Sequence, residues 1–197
     1  MVMVWDWPLR ASHWALAFFV LLAWFTPSQY DGLHRFAGYT VIVLIVFRLA
    51  WGLFGTHFSR FHTVGRRLRA APAFLANLRH GKTGRYRGLN PAGSAMLVAM
   101  LLLLAISAIT GWMSTTVRFF GVPWVEDTHS YASDAVMVLV VIHLLGVLLM
   151  CVLQRENLVR SMFTGRKRRH VFPTSGTDGL STKDRLPQVP YCRSALF

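Results

Sequence analysis

Apolar residues gather in four long runs along this chain, separated by short polar turns and strongly basic segments. The first run covers about residues 11–26. Pro8 precedes it, Pro27 and Ser28 close it, and Trp5, Trp7 and Trp14 cluster at its start. The second covers about 34–54 and has VIVLIVF at its middle. Asn90-Pro91 opens the third, about 92–113, through MLVAMLLLLAISAITGWM, and the fourth covers about 129–153 through AVMVLVVIHLLGVLLM. Crossing the hydrocarbon core takes roughly 20 helical residues, fewer or more with tilt. Each run is near that length. An open sheet would leave unpaired backbone in lipid, so the pattern predicts four membrane-spanning helices. Tryptophans at the start of the first run suit the membrane interface.

Composition agrees with this frame. Of 197 residues, 54% are hydrophobic and 15% charged, more apolar than an ordinary soluble domain. Nothing at the N-terminus resembles a cleavable leader, so the first run is expected to be a retained span. The net charge is +13, and it is unevenly placed. The second-to-third connection holds Arg60, Arg66, Arg67, Arg69, Arg79, Lys82, Arg85 and Arg87 with no acid, and Arg155, Arg160, Arg166, Lys167, Arg168 and Arg169 follow the fourth run. The first turn contains only Asp31, and the third-to-fourth loop sets Arg118 against Glu126 and Asp127. Positive charge collects on the cytoplasmic side of membrane proteins, which puts both termini and the middle connection there. The same bias accounts for the basic balance without nucleic acid as a partner.

Histidines give the spans a chemistry. His129 and His143 lie fourteen residues apart on one helix, close to four turns, which aligns them on nearly one face about 21 Å apart along the axis. His129 opens its helix on the outer side, and His143 lies deeper, toward the cytoplasm. His13 opens the first helix on the cytoplasmic side and His34 opens the second on the outer side. Topology therefore pairs His34 with His129 near the outer surface and His13 with His143 near the inner one. Each pair can supply two axial nitrogens to a haem iron held between helices. His143 interrupts an apolar run well inside its span, where an ionisable group is costly and marks function. His57, His62, His80 and His170 lie in basic segments and read as solvated or headgroup-facing residues.

Neighbouring residues add to this. Arg48, fourteen residues after His34, reaches the depth of the inner pair and can meet a haem propionate or act as a snorkelling anchor. Arg35 stands in the same two ways toward the outer pair. Gly146 reads as clearance for a flat macrocycle beside His143, and Gly38 as a helix-packing position. The third span, lacking histidine, reads as a wall. Cys151 and Cys192 form no CxxC or CxxCH, which argues against covalent haem attachment and cysteine metal sites. Cys151 reads as a small buried hydrophobe. Residues 170–197 mix Pro, Gly, Ser, Thr and charge, the composition of a disordered tail.

VWDWPLRASHW at the start, HRFAGY opening the second helix, FRLAWGLFG closing it and RENLVRSMFTGRKR after the fourth resemble the bacterial cytochrome b561 family. That family includes the b-type cytochrome subunits of nickel–iron hydrogenases. The resemblance covers about residues 4–169. It implies an all-α, four-helix membrane core with two non-covalent b haems and carries over His13, His34, His129 and His143 as axial ligands. The family often has Glu after the outer histidine of the fourth helix; here Ser130 stands there.

Together these readings describe an inner-membrane dihaem cytochrome over residues 1–169, exchanging electrons between ubiquinone or menaquinone and an outer-side redox partner. The acidic outer loop at Glu126 and Asp127 suits a basic periplasmic c-type cytochrome. Two further readings remain open: a quinone-coupled superoxide oxidase, an activity known in the family, and an electron-transfer anchor for a hydrogenase or reductase subunit. Superoxide capture asks for a positive funnel, and outer basic residues are sparse. A non-redox helical scaffold would be colourless when purified.

Overall fold

A computed structural model describes residues 2–3, 5–26, 31–54, 61–79, 89–154 and 157–167. The segment 170–197 lies outside the described residues. Four helices, α1 (Trp7–Phe25), α2 (Asp31–Phe54), α5 (Pro91–Ser114) and α6 (Pro123–Gln154), are long and apolar enough to cross a membrane. Between α2 and α5 lie the short helices α3 (Phe61–Arg69) and α4 (Ala71–Arg79), and α7 (Leu158–Thr164) follows α6. A single two-residue strand pair, β1 (Val2–Met3) with β2 (Arg166–Lys167), joins the two ends of the described chain antiparallel.

Helix starts follow the local sequence. Asn90 caps α5 by accepting from the Gly93 N–H at 2.5 Å, and Pro91 takes the first turn, where its missing N–H costs nothing. Two starts differ from the expectation for the same reason. Pro8 sits inside the first turn of α1 instead of ahead of it, and α6 begins at Pro123, so His129 lies more than a turn inside its helix. The middle connection, expected only as a basic loop, contains α3 and α4, which pack on α5. Arg67 of α3 is only 4% exposed and donates to the Leu89 carbonyl at 2.8 Å, tying α3 to the approach to α5.

The long helices pack in sequence: α1 on α2, α2 on α5, and α5 extensively on α6. The faces of α6 toward α1 and α2 make no comparable backbone approach. Val41, Ile45, Leu104 and Val136 form the core, with Leu16, Phe19, Val20 and Val140 packed around them. Val136 lies midway between His129 and His143, so this apolar plug occupies the depth between the two histidine levels. Outward faces carry residues such as Val43, Leu102, Val138 and Leu148, a surface that lipid, not water, can cover.

Candidate functional site

The gaps beside α6 hold the histidines. His34 on α2 faces His129 on α6 with ring centroids 6.2 Å apart. His13 on α1 faces His143 on α6 with centroids 6.3 Å apart. A metal–imidazole bond is about 2 Å, so two imidazoles sharing one metal place their centroids roughly 6 Å apart. Both pairs meet that spacing. No group of three or more His, Cys, Asp or Glu that could hold a metal ion occurs among the described residues. Two facing imidazoles without a third protein ligand suit an ion whose remaining positions are filled by a macrocycle.

The His34–His129 pair, called outer after the loop-charge expectation, is the more completely built. His34 Nδ1 lies 2.9 Å from the Ala23 carbonyl and His129 Nδ1 lies 2.8 Å from the Ser107 carbonyl. A carbonyl oxygen only accepts, so each Nδ1 carries the proton and each Nε2 keeps its lone pair free. Metal-ligating histidines are oriented in this way. A cavity of about 430 Å³ opens beside these rings, lined by His34, Gly38, His129 and Ser133 among others. Gly38 faces this space: a Cβ there would meet nothing within 4 Å, so no helix packs against it, contrary to the packing role expected. Gly146 likewise has nothing within 4 Å of a Cβ.

Gly111 on α5 went unremarked in the sequence. A Cβ there would stand 2.8 Å from His129 Cε1 and 2.9 Å from Nδ1, so only glycine leaves room for the ring. With the Ser107 carbonyl it makes α5 a working part of the outer site and not merely a wall. A Gly four residues after a Ser, on the helix packed against the ligand helix, is the available signal. It is too common to be read alone. Ser107 and Ser133 share a hydrogen bond at 2.8 Å, joining α5 to α6 one turn from His129. Arg35 lines the cavity but is ion-paired with Asp31, both largely exposed.

The inner pair is held differently. Neither inner imidazole makes a hydrogen bond among the described residues; His13 meets the edge of Trp14 at 5.7 Å. Arg48 stands on α2, three residues before Trp51. One buried terminal nitrogen of Arg48, Nη1, has no hydrogen-bond partner among the described residues, leaving a cation able to meet an acidic substituent. Asp6 accepts from Trp51 Nε1 at 2.7 Å. Beyond α6 the chain returns to α1: Arg10 donates to the Phe163 carbonyl, Trp14 stacks on Phe163 at 4.4 Å, and Trp5 N–H bonds the Gly165 carbonyl at 3.3 Å. Gly165 caps α7 in the left-handed region at φ 73°, and a Cβ there would lie 2.7 Å from the Trp5 carbonyl.

Over residues 4–165, the chain matches the family described as prokaryotic cytochrome b561. The chain belongs to the prokaryotic cytochrome b561 family. No curated protein and no solved structure matched it. Membership makes it a membrane b-type cytochrome of electron transfer, and the four apolar helices make it a multi-pass protein of the bacterial inner membrane. For a b561 cytochrome the facing imidazoles are the natural place to look for b-type haem.

Proposed function

We propose that this b561 cytochrome carries two b haems and moves electrons across the membrane between the quinone pool and an outer-side redox partner. His34 and His129 would hold the iron of the outer haem, and His13 and His143 that of the inner one. Loop charge places both termini on the cytoplasmic side. The observation that carries the reading is the pair of imidazole couples at two depths of one helix, each at the separation a shared metal requires.

When bound, each haem supplies a one-electron ferric–ferrous couple. The chain's own residues do the rest. The Ala23 and Ser107 carbonyls fix the outer ring tautomers, Gly111 keeps space for the His129 ring, and Gly146 clears the flank of the inner site. The plug of Val41, Ile45, Leu104 and Val136 holds water out of the path between the levels. Arg48 stands ready for an inner propionate. Two histidines on each iron would leave it no open position, which favours electron transfer over oxygen chemistry. Arg35, a cation lining the outer cavity, is paired with Asp31, which lowers the positive charge available there for superoxide capture.

Purified protein reduced with dithionite should show b-type bands and two haems per chain; a colourless protein, or one haem per chain, overturns the dihaem reading. Stopped-flow oxidation of the reduced protein by quinone, superoxide and a small basic c-type cytochrome then identifies the partner, with the cytochrome expected to react at the outer face.

A further inference from the structure

Residues 32–125 contain no aspartate or glutamate. Helices α3, α4 and α5 lie wholly inside this stretch, so the arginines of α3 meet no opposite charge within it. Their side chains divide. Arg67 turns inward and donates to the Leu89 carbonyl, whereas Arg66 and Arg69 are exposed and form no ion pair among the described residues. Three residues apart on one helix, those two stand as neighbours on the same flank. Two outward guanidinium groups, each a planar fork of donors, match the oxygens of a phosphate.

The apolar residues beside them decide which phosphate. Val64, Ala71 and Phe74 are buried where α3 and α4 pack on α5. The bond from Arg67 to Leu89 holds α3 at the start of α5, whose first-turn residues Pro91 and Ser94 are buried, Ser94 completely. That is the level at which a spanning helix enters the hydrocarbon core. Leu68 and Leu75 nevertheless remain 37% and 51% exposed. The dipole of α3 favours cations in its last turn, which accounts for arginines there but not for leucines left uncovered next to them. Short helices with arginines on one flank and leucines on another lie in the interfacial layer of a membrane. An acidic soluble protein would answer the arginines and leave the leucines in water. A phospholipid with an anionic headgroup answers both.

We infer that α3 and α4 form a shelf that binds an anionic phospholipid at the start of α5. Arg66 and Arg69 take the phosphate, and Leu68 and Leu75 lie against the acyl chains. The lipid comes from the leaflet on the side of the basic connection, the cytoplasmic one by loop charge. Binding needs no haem and no electron, so the shelf is a function apart from electron transfer.

The test uses the full-length purified protein in dodecyl maltoside, titrated with phosphatidylglycerol or, separately, with phosphatidylcholine. Lipid retained per chain is measured after gel filtration. The wild type should prefer phosphatidylglycerol, and added salt should release that lipid while phosphatidylcholine stays bound, because only the charged attraction is screened. Arg66→Gln combined with Arg69→Gln should weaken phosphatidylglycerol binding about thirtyfold, at about fivefold for each arginine near a membrane surface. Phosphatidylcholine binding and the unfolding midpoint should not move. Arg66→Lys combined with Arg69→Lys should keep most of the affinity, because both charges remain. Equal retention of the two lipids by the wild type, or release that ignores salt, overturns the proposal without recourse to any variant. An undiminished preference in the glutamine pair overturns it too. So does a poly-glutamate peptide that binds through the same two arginines in a protein with no lipid preference, which would assign them to an acidic protein partner.

Discussion

The two histidine pairs have nearly the same separation and are built by opposite means. At the outer level both rings are held from behind by backbone carbonyls of α1 and α5, and α5 bridges the helices that carry them. A carbonyl in a helix moves only with the helix, so these rings are set before anything binds between them. At the inner level the rings lack such bonds among the described residues, and α1 and α6 approach little. What ties those two helices together at this end is the chain that follows α6: α7, the left-handed Gly165 and the β1–β2 pair fastened onto the start of α1. The outer site is oriented from within its core, and the inner site is spaced from its rim.

That contrast can be broken in steps. The largest effect should come from the ligands: His143→Ala should remove the inner haem and leave the outer, and His34→Ala the reverse, read as one haem per chain with distinct residual bands. Loss of both haems in either variant would show that the sites are not separately built. Next comes Gly111→Ala, whose methyl would stand 2.8 Å from His129 Cε1. Overpacking of this kind costs about 1–3 kcal/mol, and here it should fall on outer haem occupancy alone. Gly165→Val should do the converse. It forces a branched side chain into the left-handed region and against the Trp5 carbonyl, costing about 2 kcal/mol or more. Redox titration and electron paramagnetic resonance should register a shifted inner signal with the outer one unmoved. Equal disturbance of both signals would dissolve the distinction between core and rim. The smallest effect belongs to Asp31→Asn: the Asp31–Arg35 pair has side chains half exposed or more, and its loss should change stability by less than about 1 kcal/mol.

Legibility in the sequence divided along similar lines. Hydrophobic run length made the four spans plain, because lipid demands the same thing of every crossing segment. Their starts are less plain: hydrophobicity alone opens the first span after Pro8 and the fourth at about His129, whereas proline is at home in a first helical turn and the helices begin at Trp7 and Pro123. The short helices α3, α4 and α7 escaped notice because they lie among basic residues, where composition speaks of charge before periodicity. The role of Gly38 is not legible in the sequence because a glycine facing a helix and a glycine facing a cavity are identical in one dimension. Gly111 and Asp6 could not be found at all, since each acquires its role from a side chain on another helix.

By itself the sequence determined how many times the chain crosses the membrane, which family it belongs to and which histidines share a depth. Those follow from length, motif and rise per residue, which are local properties of the chain. Only the tertiary structure decided which helix faces meet, and with them the tautomers at the outer rings, the clasp beyond α6 and the bond from Trp51 to Asp6. Hydrogen bonds and steric clearance act over a few ångströms in space, between residues far apart along the chain. No spacing along one strand of text can contain them.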